Sequence, residues 1–362
     1  MILTFVYADL PHELNTSIHR CFTLTKAVNH SGKAKAALLP LLQFNQRSEM
    51  AENYCSHSDI IVVERNLFAD TLDTIRYWKD KGKIIVANFD DAYDLIKPNN
   101  ISYRLWKKGE YRAIENGREV TKVMSPVPLE QFKRGLGLCD AAVMPSRVLV
   151  RDWAKYTPTL YLPNYLDVAH YQKFPKVESD DITIGWGGSL GHLQSFMQIG
   201  LPTVLSKVAR AHDNVRIMIA GPRALYDMID LPEGKKIFQP FVPFEDWPGV
   251  LARFDIGIAP LCGSYDNRRS WLKPLEYMTM QIPCVGSNVE AYSELGTYGR
   301  LVKNDASEWL MVLSGMVDHM DEHRAHAAGA PFEFAMRQNA DNNADAILGV
   351  FQEIYDNAKV EA

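Results

Sequence analysis

What most constrains this chain is an alternation of short apolar runs with helix-length segments, played through twice. In the first half ILTFVYA (2–8), AKAALLPLL (34–42), DIIVVER (59–65), KIIVANFDD (83–91), CDAAVMPS (139–146) and TLYLPN (159–164) are strand-length, and DIIVVER is a β-branched run bounded by polar residues. Asn15, Thr16 and Ser17 offer a cap for a helix running to about His30, and Thr71–Lys81 reads as a helix stopped by Gly82. Strands that alternate with helices predict a parallel, helix-covered sheet. The pattern restarts with VESDDITIGWGGS (177–189), a polar lead followed by a strand and a glycine turn, and continues through NVRIMIAGP (214–222), KIFQPFVP (236–243), FDIGIAPL (254–261) and IPCVGS (282–287). HYQKFPKVESDD reads as a linker, with a boundary near 168–178. Past Arg300 the chain is expected to be mostly helical, and Asp341–Ala358 reads as a long closing helix. The expected organisation is two similar α/β domains, 1–170 and 171–340, with 341–362 packing back on the first. Ligands of such sheets bind beyond the carboxyl ends of the strands.

Composition narrows the function classes. A net charge of −5 over 362 residues offers no global case for nucleic-acid or membrane binding. The five cysteines are scattered without a CxxC pair, which points to reduced thiols rather than a zinc or redox site. MILTFVYADL lacks a basic leader and is too short for a signal peptide, so it reads as a first strand. No apolar run approaches the ~20 residues that span a bilayer. A cytoplasmic protein is expected.

Chemistry concentrates in Leu261 to Glu294, which reads as strand end, polar loop, amphipathic helix and strand. Ser270 is expected to cap the helix, with Pro274 tolerated in its first turn. Leu272, Leu275 and Met278 recur at helical spacing and should face a core. Asn267, Arg268, Arg269 and Lys273 surround a helix start, which already favours anions, and Glu276 sits one turn further in. That set suits a nucleoside diphosphate: cations for phosphates, a carboxylate for ribose hydroxyls. The plain alternative for Lys273 and Glu276 is a surface ion pair, worth only ~0.3–0.5 kcal/mol.

Three other places are candidates. IGWGGSLGH (184–192) has glycines after a strand, where Gly187, Gly188 and Ser189 could admit a phosphate and His192 could touch a phosphate or sugar hydroxyl; a tight turn is the alternative. Asp90 and Asp91 end the strand KIIVANF, with Asp94 behind them; paired carboxylates there serve hydroxyl binding or proton transfer, or else cap a helix. Asp9, His12 and Asn15 follow the first strand and are expected on the acceptor side. Finally, segment 97–134 holds nine basic and four acidic residues, a local +5, interleaved with Tyr103, Trp106 and Tyr111. It is either a solvated helical face or a surface for something anionic: a lipid headgroup, a phosphorylated sugar or nucleic acid.

GWGGSLGH, FQPFVPFEDWPGVLARFDIGIAPL and NRRSWLKPLEYMTMQIPCVGSNVEAYSEL together resemble the GT-B glycosyltransferases of the large retaining, glycogen-synthase-like group 1 family. The likeness is closest over about 181–300 and looser in the first half. It implies two Rossmann-like domains facing a central cleft, a nucleotide-sugar co-substrate with no cofactor and no metal, and sugar transfer with retention. The acceptor is left open among a glycan, a lipid-linked sugar, a protein side chain and modified DNA, as is the oligomeric state. By the resemblance Glu276 holds the donor ribose, Lys273 lies near the diphosphate, Gly187 and Gly188 form the phosphate turn, and Phe241–Pro243, with Val242 at its centre, runs beside the nucleobase. Many members carry a glutamate eight positions before the ribose ligand; here Arg268 stands there. The Asn-x-basic-Ser-x-x-Lys-x-x-Glu pattern of Asn267, Arg269, Ser270, Lys273 and Glu276 resembles a subgroup. A GT-B nucleotide-sugar epimerase and a non-catalytic binding member are the alternatives.

Overall fold

The computed structural model describes residues 1–9 and 16–361; His12 and Asn15 lie outside the described residues. The chain forms two compact units, Met1–Leu166 with Ala340–Ala362, and Asp167–Asn339.

Unit 1 contains β1 (Ile2–Tyr7), β2 (Lys35–Pro40), β3 (Ile60–Glu64), β4 (Ile84–Asn88), β5 (Glu110–Glu115), β6 (Arg118–Val123), β7 (Ala141–Met144) and β8 (Thr159–Tyr161). Six of these make one parallel sheet in the order β2-β1-β3-β4-β7-β8. Every residue of β3 and β4 is buried, as a parallel sheet covered on both faces requires. The core joins Phe5, Val62 and Val86 to Leu24 and Val28 and to Ile347, Phe351 and Ile354 of the helix Ala344–Glu361. Phe5 and Phe351 meet edge to face at 5.7 Å.

Unit 2 contains β9 (Ile182–Gly187), β10 (Val215–Ala220), β11 (Lys236–Gln239), β12 (Ile256–Ala259), β13 (Cys284–Ser287) and β14 (Arg300–Val302). They form a second parallel sheet, ordered β11-β10-β9-β12-β13-β14. That order reverses between β9 and β12, and a crevice opens at such a switch point. Unit 1 reverses between β1 and β3. The two Rossmann-like sheets read from the sequence are thus present. All five cysteines are free.

Past Arg300 the chain is mostly helical, as expected, after β14, an edge strand of three residues. Three expectations are corrected. Segment 97–134 is not one helical face: β5 and β6 pair antiparallel as a separate hairpin. Its turn, Asn116-Gly117, has φ of 50° and 73°, the left-handed pair a two-residue hairpin needs. Ser270 does not cap its helix, which starts one residue later behind Trp271 and has no side-chain cap. The segment read as a linker holds a short helix, Val168–Tyr171, whose Tyr171 is fully buried.

Candidate functional site

The first site is built within unit 2 at the β9/β12 switch point. β9 ends at Gly187, where an added Cβ would lie 2.1 Å from Cη2 of Trp247. Gly187 is therefore needed to seat an indole, a packing role that the glycine-turn expectation did not contain. The backbone continues through Gly188, whose N–H donates to the Ala220 carbonyl at 3.1 Å. Gly221 closes this approach: its φ is +118°, and a Cβ there would stand 2.2 Å from the Gly188 oxygen. Ser189 then turns the chain, its Oγ accepting the Gly191 N–H at 3.3 Å, and the 3-10 turn Leu190–His192 leads into the helix Leu193–Ile199.

The helix Leu272–Thr279 follows β12 and brings its charged residues to the same place. Leu275 and Met278 are buried, which holds the helix against the sheet. Lys273 reaches across to donate to the Gly187 carbonyl oxygen, with its ammonium 5.5 Å from the Trp186 ring. Burial lowers the Lys273 pKa to about 8, with Arg269 adding to the fall and Glu276 opposing it.

Glu276 is not a surface partner. It is 6% exposed, and its Oε1 accepts the Tyr171 hydroxyl at 2.8 Å and the Trp247 Nε1–H at 3.0 Å. Burial raises its pKa, opposed by Lys273 and by both hydrogen bonds. Two donors on one oxygen orient the carboxylate and leave Oε2 for another group. Tyr171 and Trp247 were not legible as site residues, since each depends on a contact across 105 and 29 residues of sequence.

Arg269 is held by another residue that was missed. Its Nε donates to Asp266 Oδ1 at 2.8 Å, and the other carboxylate oxygen of Asp266 accepts Ser195 Oγ at 2.5 Å. Ser195 in turn accepts the Cys262 N–H at 2.7 Å, tying the loop after β12 to the helix after β9. A Cβ on Gly191 would lie 3.2 Å from Arg269 Nη2, so the guanidinium rests against the turn that Ser189 starts. His192 shares this corner. Burial and the nearby Arg269 and Lys273 hold its pKa well below the ordinary value, so it is neutral, and its buried Nδ1 has no hydrogen-bond partner among the described residues. Asn267 Oδ1 is likewise buried without one. Arg268, eight positions before Glu276, donates to the Ser264 carbonyl at 2.7 Å and braces its own loop. Val242 lies in the irregular segment after β11, half-buried beside the exposed Phe241. Ser270 is half-buried between Arg269 and the helix. The unit thus gathers Lys273, Arg269, neutral His192 and free turn geometry around the end of β9, with an oriented carboxylate one helical turn away.

The second cluster lies in unit 1 at the β1/β3 switch point. Asp9 accepts from Arg65 and from the Ser17 N–H at 2.9 Å. Ser17 does not cap a helix; its Oγ donates to Glu64, which also accepts the Ala8 N–H at 2.8 Å. Glu64 and Arg65 were not among the expected site residues, because both end a run that reads as plain buried strand. Asp90 and Asp91 follow β4 after Phe89. Burial and then Asp91 raise the Asp90 pKa to about 7, opposed by Arg65 and Arg20. Its Oδ1 is buried without a hydrogen-bond partner among the described residues, and Thr16 Oγ1 stands 3.4 Å from Oδ2. The structure brings Asp9 and Asp90 around one arginine, Arg65. The 3-10 turn Tyr93–Leu95 that follows Asp90 and Asp91 has no side-chain cap.

The comparisons with known proteins follow from this geometry. Residues 182–318 match the family model for "Glycosyl transferases group 1". No curated protein matches the chain by sequence. Among solved structures, Anabaena HepE in complex with UDP and glucose is similar at 12% identity and a TM-score of 0.63, over 98% of this chain and 100% of that one. Sucrose-phosphate synthase from Thermosynechococcus elongatus is similar at 12% identity and 0.63, over 100% of each chain. A candidate UDP-N-acetylglucosamine 2-epimerase from Listeria monocytogenes is similar at 10% identity and 0.57, over 98% and 97%. At these identities the likeness is one of fold, that of the GT-B enzymes.

Proposed function

We propose that this chain, whose residues 182–318 carry the group 1 glycosyl transferase match, moves a sugar from a nucleotide-sugar donor to an acceptor, with retention. The observation that carries the proposal is Glu276: a buried carboxylate with one oxygen fixed by Tyr171 and Trp247, one turn from Lys273 at the switch point of a Rossmann-like sheet. Oε2 of Glu276 takes the ribose hydroxyls. Lys273, Arg269 and the N–H groups of Ser189 and Leu190 take the diphosphate. UDP is the first nucleotide to test, because HepE was solved with it.

In the proposed reaction the bond from the anomeric carbon to the phosphate oxygen breaks, and its electron pair leaves with the nucleoside diphosphate. Lys273 and Arg269 stabilise that growing charge without reorganising, because Asp266 and the Gly187 carbonyl already hold them. The acceptor oxygen bonds to the same face of the sugar, and its proton passes to the departing phosphate oxygen. Neutral His192 can accept or donate one hydrogen bond to a sugar hydroxyl or phosphate. Asp9, Asp90 and Asp91 are proposed for the acceptor side, where their oxygens accept from hydroxyls.

The test is a screen of nucleoside diphosphates by thermal shift, followed by nuclear magnetic resonance of the product's anomeric configuration. Ligand binding raises the melting temperature by mass action. No shift with any nucleotide would leave a non-catalytic member, which the Arg268 position favours. Isomerised donor in the absence of acceptor would mean an epimerase instead.

A further inference from the structure

We propose that the Asp90 carboxyl binds a hydroxyl of a neutral, carbohydrate-type acceptor, with the buried Arg20 as its positioning residue. The proposal rests on the sugar-transfer reading only in calling that ligand the acceptor.

Arg20 lies in the π-helical turn Ile18–Phe22, a helical form found often at functional sites. It is 0% exposed. Its Nε donates to Asn88 Oδ1 at 2.8 Å, and its Nη1 to the Leu162 carbonyl at 2.6 Å and to Asn164 Oδ1 at 3.0 Å. Asn88 Nδ2 donates back to the Arg20 carbonyl at 2.7 Å. Nη2 has no hydrogen-bond partner among the described residues. Burying a guanidinium with one nitrogen unused is costly, and packing alone gives no reason for it. Its place does: it is fixed to the last residue of β4, two before Asp90. Burial lowers its pKa to about 10, and Asp90 opposes that fall more than any other group. Arg65 holds the same strand end from β3. Its N–H donates to the Asn88 carbonyl at 2.9 Å from a left-handed backbone, φ 35°, a strain that collects at functional sites.

The charges say what the carboxyl can take. Asp90 faces Arg20 and Arg65, and also Asp9, Glu64 and Asp91, so two cations stand against four carboxyl groups. His19, beside Arg20, is neutral, its pKa lowered to about 4 by burial and then by Arg20. Burial keeps Cys21 a thiol. Arg147 lies over the Tyr161 ring of edge strand β8 at 4.2 Å. A phosphate on the acceptor would meet the negative surplus, whereas a hydroxyl brings a donor and no charge. There is room for one. A carboxylate offers about four acceptor sites. Asp90 Oδ1 fills none among the described residues, and Oδ2 meets Thr16 Oγ1 at 3.4 Å, long for an O–H···O bond. Asp90 is half-buried while Arg20 and Glu64 are closed off, so of these three Asp90 is the one a ligand touches.

Proton linkage separates the two kinds of ligand. Burial and then Asp91 raise the Asp90 pKa to about 7. A hydroxyl donated to the carboxyl favours its ionised form, so a neutral sugar should bind more tightly as pH rises. Roughly one-tenth of the carboxyl is ionised at pH 6 and roughly nine-tenths at pH 8, which sets the gain at roughly tenfold. An anionic group favours the protonated form and reverses the slope.

The experiment is saturation-transfer nuclear magnetic resonance of the full chain, without nucleotide, against methyl glucoside, galactoside and mannoside and their 6-phosphates. At least one neutral glycoside should bind more tightly than its 6-phosphate, with affinity rising roughly tenfold from pH 6 to pH 8. Asp90→Asn should flatten that profile. Arg20→Gln should move its midpoint above pH 7, because Asp90 loses a cation, and Arg20→Lys should return it; a merely structural role would weaken binding without moving the midpoint. Should Arg20→Gln not fold, Arg65→Gln, at a side chain 27% exposed, should move the midpoint the same way. No glycoside bound, an affinity level or falling from pH 6 to pH 8, tighter binding of a 6-phosphate, or an unmoved midpoint would each overturn the proposal. Glycoside binding in a chain that answers to no nucleotide would sink the transfer reading and leave the sugar site standing.

Discussion

The Lys273 ammonium offers a test of the donor site that does not need the acceptor. Its pKa in the free protein is lowered to about 8, first by burial and then by Arg269. A diphosphate arriving beside it supplies the missing counter-charge and should return the pKa to its ordinary range near 10.4. The sign follows: affinity is full below pH 8 and falls as pH rises through 8. With a pKa of about 8, roughly nine-tenths of the free protein carries the charge at pH 7 and roughly one-tenth at pH 9. UDP affinity should therefore drop roughly tenfold over that interval, about 1.4 kcal/mol. Binding should also take up roughly 0.1 proton at pH 7 and roughly 0.9 at pH 9, because the charge must be restored. Titration calorimetry in two buffers of different ionisation enthalpy reads both quantities. Lys273→Arg stays charged throughout and should flatten the profile, whereas Lys273→Ala should flatten it and weaken binding ~10–100-fold, the range for a charged hydrogen bond. A wild-type affinity that is level from pH 7 to 9, with no change in proton uptake, would refute the placement of the phosphates at Lys273.

Three further outcomes are expected. Glu276→Gln should weaken nucleoside diphosphate binding by ~1.5–3 kcal/mol, while deoxyribose analogues lose less than ribose ones in the variant, which calorimetry checks. Asp266→Ala removes the buried carboxylate that holds both Arg269 and Ser195, and should destabilise the fold by ~3–5 kcal/mol in urea unfolding. For Asp90, burial raises the folded pKa to about 7 from the ordinary aspartate value, so the folded state binds more protons in between. Stability should fall as pH rises from about 4 to about 7, and Asp90→Asn should flatten that slope in denaturation midpoints.

How much was legible in the sequence differs by residue. The parallel sheets were readable because IIVVE and IIVAN are buried on both faces and so show as unbroken apolar runs. Lys273, Arg269 and Glu276 were readable because one helix start carries them all. The residues that organise them were not. Asp266 looks like one more polar loop residue, Tyr171 sits in a segment with linker composition, and Trp247 shares no local pattern with Glu276. Their roles arise from chain reversals that no window of sequence contains. The hairpin was missed for the opposite reason: its Asn116-Gly117 signal was present, but alternating charges on both strands masked the period of two.

Gly187 shows most directly how the hidden part can be tested. It was read as a phosphate glycine, yet the space its missing Cβ leaves is filled by Trp247, whose indole then donates to Glu276. Gly187 is not in the left-handed region, so Gly187→Ala strains contacts rather than backbone. Overpacking of this kind costs ~1–3 kcal/mol and should tilt the indole away from the carboxylate, weakening UDP binding together with stability. Trp247→Phe removes the ring that clashes, along with the Nε1 donor. It should weaken binding alone but tolerate Gly187→Ala almost without further loss. The double-mutant cycle should therefore show a coupling of ~1–3 kcal/mol in urea unfolding. If the glycine instead served close approach by a phosphate, Gly187→Ala would cost binding equally with Phe or Trp at 247, and the coupling would vanish.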